Sequence, residues 1–141
     1  MLTRARQYAV GQLGALQAET ITLLSAMTTQ PSAVRIGLIG AGRWGSVYLR
    51  TLRRLGGRFR LTHVGSRHPE RMQQLPAGVV VHRDWRRVVR ADCDAVIIAT
   101  SALAHAEMLL ACLEARKPCI VEKPLCLDVA SAERLHQRVQ A

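Results

Sequence analysis

The segment 40–45 has the spacing Gly-x-Gly-x-x-Gly, with glycines at Gly40, Gly42 and Gly45. The absence of a side chain allows a tight turn at Gly40, a close approach of the backbone to a pyrophosphate at Gly42, and tight helix–strand packing at Gly45. The N–H groups at the start of the following helix can then bind phosphate oxygens. The pattern predicts a dinucleotide-binding loop in which Arg43 and Trp44 also contact the cofactor. The alternative is a glycine-rich turn that holds no ligand.

The residues after the second predicted strand indicate which dinucleotide is bound. An acidic residue about 20 positions beyond the glycines would bond the ribose hydroxyls of NAD and repel a 2′-phosphate. The segment 65–68 reads Gly-Ser-Arg-His instead and contains no carboxylate. The planar guanidinium of Arg67 and the hydroxyl of Ser66 suit an additional phosphate, which favours NADP over NAD. The alternative is that Arg67 is a solvated surface charge.

The elements that must position these residues alternate between strands and helices. Apolar runs predict strands over 34–40, 59–65, 78–82, 94–99 and 118–122. Helical spacing and breaker residues predict helices over 42–55, from His68, and over 84–90, 102–115 and 128–140. Strict alternation predicts an α/β fold with a doubly wound parallel sheet, a Rossmann fold with helices on both faces.

The spacing of apolar residues also predicts which side of each long helix faces the sheet. The residues expected to point inward are Trp44, Val47, Tyr48, Thr51 or Leu52, and Leu55 in the first helix, Leu103, Ala106, Leu110 and Leu113 in the helix over 102–115, and Val129, Ala132, Leu135 and Val139 in the last.

Length and composition limit the class of protein. The chain has 141 residues, 49% of them hydrophobic and 21% charged, which predicts one globular domain with a packed core. No apolar run approaches the ~20 residues of a membrane-spanning helix, so we expect no membrane partner. Aromatic residues make up only 4%, which argues against a stacking surface for single-stranded nucleic acid.

The chain is strongly basic, with a formal net charge of +10, and the excess lies in residues 35–90. That stretch contains thirteen arginines and only two acidic residues. A basic half favours a polyanionic partner, either nucleic acid or a phosphate-rich small molecule, and the alternative is a solvated arginine-rich surface. Because no nucleic-acid-binding motif is present, we expect the small molecule.

The four cysteines, Cys93, Cys112, Cys119 and Cys126, do not form a Cys-x-x-Cys pair. The spacing therefore supports neither a zinc site nor a thioredoxin-like redox pair, and we expect no metal. Each cysteine has apolar neighbours, which predicts buried, reduced thiols and suits a cytoplasmic location.

Residues 1–30 differ from the rest of the chain. They contain apolar residues at a loose helical spacing, but glutamines interrupt any continuous apolar segment of the kind found in a secretory signal. We interpret them as a dispensable N-terminal extension or as the result of a misassigned start, with translation beginning at Met27. Residues 31–141 would then form the Rossmann domain.

Residues 94–127 (DAVIIATSALAHAEMLLACLEARKPCIVEKPLCL) closely resemble the Gfo/Idh/MocA oxidoreductases. The shared pattern is a strand, Ala-Thr, a short loop that ends in His, a helix, a further strand and then Glu-Lys-Pro. The last of these, Glu122-Lys123-Pro124, is the most specific element. The resemblance extends over about 34–139, nearly all of the chain past the N-terminal extension.

The resemblance implies a role for each matching residue. Lys123 would be catalytic, bonding the substrate hydroxyl or carbonyl and assisting proton transfer while hydride moves to or from the nicotinamide. Glu122 and Lys123 would also contact the cofactor. Three further residues would line the nicotinamide side: Thr100, Ser101 and His105. A cis bond would precede Pro124, and the substrate would be a sugar, an inositol or a similar polyol.

Several alternatives and departures remain open. Lys123 could be a surface lysine, His105 could cap the next helix, and Trp44 could belong to the core. Ser101 replaces a frequent proline, and Arg116 replaces a usual glycine at a helix end. Ser66 likewise stands where the family has its usual acid.

The chain is shorter than members of this family, which carry a second domain that holds the substrate. We therefore interpret it as a truncated oxidoreductase that is inactive as an enzyme alone. The alternative is a non-catalytic dinucleotide-binding module or sensor. The sequence leaves open whether the chain forms a homo-oligomer.

Overall fold

The computed structural model describes residues 32–72 and 75–140, apart from the side chain of Arg71. The interpretation of residues 1–30 as a dispensable extension lies outside the described residues. No helix in the described part is long and apolar enough to cross a membrane.

The described residues form a five-stranded parallel sheet. Its strands are β1 (Val34–Ile39), β2 (Phe59–Gly65), β3 (Val80–His82), β4 (Ala95–Ile98) and β5 (Cys119–Val121), in the spatial order β3-β2-β1-β4-β5. Each neighbouring pair is parallel, and the central strand β1 lies between β2 and β4. Strand order therefore reverses direction at β1, which confirms the predicted doubly wound sheet.

The described residues include four α-helices, of which the first three lie between strands and the fourth follows β5. They are α1 (Arg43–Arg54), α2 (Arg86–Arg90), α3 (His105–Glu114) and α4 (Val129–Gln140), and short 3-10 turns cover Pro69–Arg71 and Ala102–Ala104. The predicted strand over 78–82 begins only at Val80, since Gly78 adopts a positive φ of 83°. The predicted helix over 102–115 is divided, with its first turn in 3-10 geometry.

Apolar side chains fill both faces of the sheet. One core lies between the sheet and α1 and consists of Ile36, Leu38, Leu52, Leu61, Val64, Ile97 and Ala99. The other lies against α2, α3 and α4 and consists of Ile39, Val88, Val89, Cys93, Val96, Ile98, Met108, Leu109, Cys112 and Leu135. Adjacent residues of β1 and β4 thus serve opposite cores, which explains why both strands are apolar throughout.

The prediction that certain helix residues point inward is wrong for several of them. Trp44 and Leu55 of the first helix are 49% and 39% exposed, and Leu103, at 83%, lies in the 3-10 turn rather than on α3. Val129 and Val139 of α4 are 74% and 65% exposed. In the fourth helix, α4 packs on α3 through a narrow stripe in which only Ser131 and Leu135 are buried. Val129 and Val139 lie outside this stripe.

The residues that α3 buries also differ from the prediction. They are His105, Met108, Leu109 and Cys112. The predicted residues Ala106, Leu110 and Leu113 are only partly buried, at the margin of the core. Because α3 is apolar on most sides, its sequence spacing did not select one face.

All four cysteines are free thiols, but only Cys93 and Cys112 are buried. Cys119 and Cys126 are half-buried. The prediction of four buried thiols is thus confirmed for two of them.

Candidate functional site

The glycine loop joins the end of β1 to the start of α1 at the carboxyl end of the sheet. Gly40 has a φ of 101°, and a Cβ added there would lie 2.5 Å from the carbonyl oxygen of Ala99. A Cβ added at Gly45 would lie 2.1 Å from the carbonyl oxygen of Gly40. A Cβ at Gly42 would have no neighbour within 4 Å, so this part of the loop is open on its outer side. The loop therefore needs two glycines for its own fold and leaves the third free for a ligand.

This loop forms one wall of a cleft of about 760 Å³, a volume typical of small-molecule sites. The ends of β2, β3 and β4 supply the other walls. The predicted site residues that line it are Gly40, Gly42, Arg43, Trp44, Ser66, Arg67, Thr100 and Ser101. Four others do not line it: Gly45, His105, Glu122 and Lys123.

The end of the cleft at β2 and β3 is cationic. Arg67 and His68 line it together with Arg83, which directly follows β3 and which no sequence pattern marked as a site residue. The backbone N–H of Ser66 donates to the carbonyl oxygen of His82 at 2.9 Å, and the Ser66 hydroxyl oxygen accepts the N–H of His68 at 3.1 Å. This end of the cleft therefore has an ordered backbone and exposed basic side chains.

A carboxylate lies near this end, although none was predicted. Glu70 Oε1 is 3.1 Å from Nδ1 of His68. A hydrogen bond from the backbone of Glu70 itself, followed by the hydrogen bond with His68 and the charge of Arg83, holds the pKa of this carboxyl below its usual value against partial desolvation. Glu70 is therefore an anion that the basic residues of this end already attract.

The loop after β4 lines the opposite side of the cleft through Thr100 and Ser101. His105, predicted to line this side, is instead 1% exposed and lies beneath the loop. Its Nδ1 is 2.8 Å from the carbonyl oxygen of Pro124, and its Nε2 is 3.3 Å from that of Thr100. His105 thus joins the loop after β4 to the turn after β5.

Lys123 lies in that turn, at the carboxyl end of β5. The peptide bond between Lys123 and Pro124 is cis, as the resemblance implied. The Lys123 side chain is exposed, and within the described residues its Nζ makes no hydrogen bond or ion pair.

Glu122, by contrast, is held on both carboxylate oxygens. The hydroxyl of Tyr48, on α1, donates to Glu122 Oε1 at 2.8 Å, and the N–H of Lys123 donates to Oε2 at 3.3 Å. Burial, together with this hydrogen bond to Glu122, raises the pKa of Tyr48. The sequence predicted Tyr48 only as an inward-facing residue of the first helix. No local pattern indicates its hydrogen-bond partner, which lies 74 positions away.

A parallel sheet with a reversal of strand order, a glycine loop at the reversal and a cleft outside the strand ends defines a dinucleotide-binding Rossmann domain. The sequence profile of the Gfo/Idh/MocA oxidoreductases, described as an oxidoreductase family with an NAD-binding Rossmann fold, matches residues 34–141. The chain belongs to this family.

Individual proteins give the same result. An inositol 2-dehydrogenase of Mycolicibacterium gilvum is 36% identical over 110 residues, which cover 74% of this chain and 31% of that protein. A crystal structure from Magnetospirillum magnetotacticum MS-1 has 45% identity and a TM-score of 0.71, covering 77% of this chain and 36% of the other. An NAD-binding oxidoreductase of Klebsiella pneumoniae has 27% identity and a TM-score of 0.67, covering 77% and 32%. The chain therefore spans about a third of the length of the relatives it matches.

Proposed function

We propose that this domain binds NADP(H) in the cleft and supplies the acid–base lysine of an oxidoreductase that interconverts an alcohol and a carbonyl. The observation that supports it most directly is the glycine loop, whose Gly42 is open beside a cationic cleft end. The diphosphate would bind at the N-terminus of α1, where the helix dipole and the free N–H groups favour an anion.

The preference for NADP over NAD rests on the cationic end. Ser66 and Arg67 stand where an NAD-specific site would have an acid, and Arg67 makes no hydrogen bond or ion pair to any described residue. Charge-assisted bonds from a guanidinium to phosphate are stronger than neutral ones, so the 2′-phosphate gains most from this arrangement. The family description names NAD binding and does not separate the two nucleotides.

The chemistry assigned to Lys123 is proton transfer. When bound, the nicotinamide accepts or donates the hydride. As an alcohol is oxidised, the hydroxyl proton would pass to Nζ of Lys123; in the reverse direction Nζ would return a proton to the carbonyl oxygen. Since no described residue bonds this nitrogen, it is available to a substrate. Glu122 would hold the cofactor beside it, and His105 would support the loop bearing Thr100 and Ser101.

The substrate class follows from the relatives, several of which are inositol dehydrogenases. We therefore propose a sugar- or polyol-like substrate. Residues 34–141 correspond to about a third of those proteins. Hydride transfer is accordingly proposed for a protein that also holds the remaining part, because substrate positioning supplies much of the rate. The free thiols fit a reducing cytoplasm.

Separate titrations with NADPH and NADH test the proposal, with Trp44 in the cleft as a fluorescent probe. NADPH should bind the wild type more tightly. Arg67→Ala should weaken NADPH binding by about 10-fold and leave NADH within about twofold, because only NADPH carries the 2′-phosphate. Arg90→Ala, an exposed arginine outside the cleft, is the matched control and should change neither.

Two results would contradict it. If neither nucleotide binds, the cofactor assignment fails. If NADH binds more tightly than NADPH, the domain is specific for NAD and the argument from Ser66 and Arg67 is wrong.

A further inference from the structure

We propose that Arg83 is a second specificity-determining residue, which recognises the 2′-phosphate of NADP(H) together with Arg67. The inference rests on the proposed function and extends it to a residue on a different strand. The register of β2 and β3 places Arg83 beside the loop that carries Arg67. Gly65 of β2 pairs with His82 of β3, so Ser66 and Arg83 are the first residues beyond two paired strand ends.

A hydrogen bond fixes this arrangement. The N–H of Ser66 donates to the carbonyl oxygen of His82 at 2.9 Å, which ties the loop after β2 to the residue that precedes Arg83. Arg67 and Arg83 both line the same end of the cleft. A phosphate there would be approached by one guanidinium from each loop, an arrangement that suits the planar fork of arginine.

The two arginines are also free to bind. Neither makes a hydrogen bond or an ion pair within residues 32–72 and 75–140. Arg86, three positions beyond Arg83, shows the contrast, because it pairs with Glu107 at 2.5 Å and stacks on Trp85 at 4.5 Å. Arg86 therefore serves the fold, whereas Arg83 keeps its capacity for an anion.

Glu70 indicates what Arg83 can attract. Its carboxylate is exposed, is 3.1 Å from His68 Nδ1 and interacts electrostatically with Arg83. A 2′-phosphate at this end would meet the same cations and would be repelled by Glu70. Removing the negative charge of Glu70 should therefore favour NADPH over NADH wherever the 2′-phosphate binds at this end of the cleft.

The experiment measures the dissociation constants of NADPH, NADH and 2′,5′-ADP for the 141-residue chain and its variants. The last compound carries the 2′-phosphate and the adenosine 5′-phosphate but no nicotinamide, so it reports this end of the cleft without a contribution from the nicotinamide side. Arg83→Ala should weaken NADPH and 2′,5′-ADP by about 10-fold and leave NADH within about twofold. Arg83→Lys should recover part of the loss, since it restores the charge but not the fork.

Glu70→Gln should tighten NADPH about 2- to 5-fold relative to NADH, and Arg90→Ala is the matched control. Thermal melts establish that each variant is folded. If Arg83→Ala does not fold, Arg83→Lys decides the matter, since it should still bind NADPH more weakly than the wild type does, relative to NADH.

The outcomes separate the two proposals. If Arg67→Ala changes the NADPH-to-NADH ratio and the Arg83 variants do not, NADP specificity stands and the role of Arg83 is wrong. If the wild type prefers NADH and Glu70→Gln weakens NADH, then Glu70 is a ribose-binding carboxylate. In that case both the NADP preference and this inference fail.

Discussion

The two edges of the parallel sheet use their cations in opposite ways. At the amino-terminal edge, Arg35 donates to Asp94 from three nitrogens, with distances of 2.7, 2.7 and 3.2 Å. At the same edge, Nζ of Lys117 donates to the carbonyl oxygens of Ala91 and Cys93 at 3.1 and 2.6 Å. These bonds join the start of β1, and the residues just before β5, to the segment that precedes β4.

At the carboxyl-terminal edge, Arg86 pairs with Glu107, but four other cations have no such partner among the described residues. The side chains of Arg43, Arg67, Arg83 and Lys123 make no hydrogen bond or ion pair within the described residues. The first three line the cleft, and the fourth lies in the turn after β5. Exposed like charges near one another disfavour the folded state slightly, so this edge keeps an arrangement that the fold alone does not need.

The difference separates the cations that hold the fold from those that are left available to the proposed ligand. Charge by itself did not distinguish them, because both kinds contribute equally to the net charge of +10. Partners distinguish them, since a cation without a partner at the mouth of a cleft is the pattern expected of a binding site. Variants at the two edges should therefore have separable effects on stability and on nucleotide binding.

The largest effect is expected in the glycine loop, which is needed both for the fold and for the proposed nucleotide binding. Gly45→Ala places a methyl group 2.1 Å from the Gly40 carbonyl oxygen, so helix and strand must separate. We expect a loss of about 1–3 kcal/mol in the free energy of unfolding and loss of NADPH binding. Urea denaturation and fluorescence titration measure the two.

Gly42→Ala is the matched control in the same loop. Its Cβ meets nothing in the protein, so the free energy of unfolding should change by no more than about 0.5 kcal/mol. NADPH binding should still weaken by at least about 10-fold, because the methyl group stands where the pyrophosphate approaches. If Gly42→Ala binds NADPH as the wild type does, the phosphate does not bind at this loop.

The second effect is expected at the amino-terminal edge. Asp94→Asn removes the charge that Arg35 binds, and Arg35 holds the pKa of this carboxyl at about 2, mainly through the side-chain hydrogen bond. The melting temperature at pH 7 should fall by several degrees, while the dissociation constant of NADPH stays unchanged. Asp92→Asn, with a side chain that is 84% exposed, should have a smaller effect.

The same carboxylate predicts an acid dependence. Because its folded-state pKa lies below the usual value of about 4, its contribution to stability is complete above that pH and is lost as the pH falls towards 2. The wild type should therefore lose stability over this interval more steeply than Asp94→Asn. Parallel curves for the two proteins would show that Asp94 does not stabilise the fold through its charge.

Local patterns were enough to predict the glycine loop and the alternation of strands and helices, whereas the cis bond before Pro124 was implied by the family resemblance of Glu122-Lys123-Pro124. Each depends on residues close together in the sequence, such as Gly40 and Gly45 or Glu122 and Lys123. The position of a ligand at the carboxyl ends of the strands follows from the fold class and needs no further information.

The remaining features depend on contacts between distant segments. Arg83 reaches the cleft only because β3 pairs with β2, and Tyr48 meets Glu122 only because α1 packs near the end of β5. His105 was expected to line the nicotinamide side. It is buried beneath the loop, where its ring nitrogen is within hydrogen-bond distance of the carbonyl oxygen of Pro124, in a different turn. Such pairings follow from the three-dimensional arrangement and have no signal in any one segment.

The smallest effect is expected at Arg116, next to the amino-terminal edge. It is the first residue after the α3 C-cap and has a φ of 50°, in the left-handed region that usually belongs to glycine. Its N–H donates to the carbonyl oxygen of Leu113 at 3.0 Å, and the N–H of Lys117 donates to that of Cys112 at 2.8 Å. These two bonds form a Schellman motif that directs Lys117 towards its carbonyl partners.

Arg116→Gly should stabilise the domain by about 0.5 kcal/mol, since the relief of about 1–2 kcal/mol of left-handed strain exceeds the added entropy of the unfolded chain. Arg116→Ala removes the same charge but keeps the Cβ, so it should be no more stable than the wild type. Urea denaturation of the three proteins measures the difference. NADPH binding should be the same in all three, because this turn lies at the edge whose cations serve the fold. An equal gain in both variants would assign the effect to the lost charge and not to the backbone.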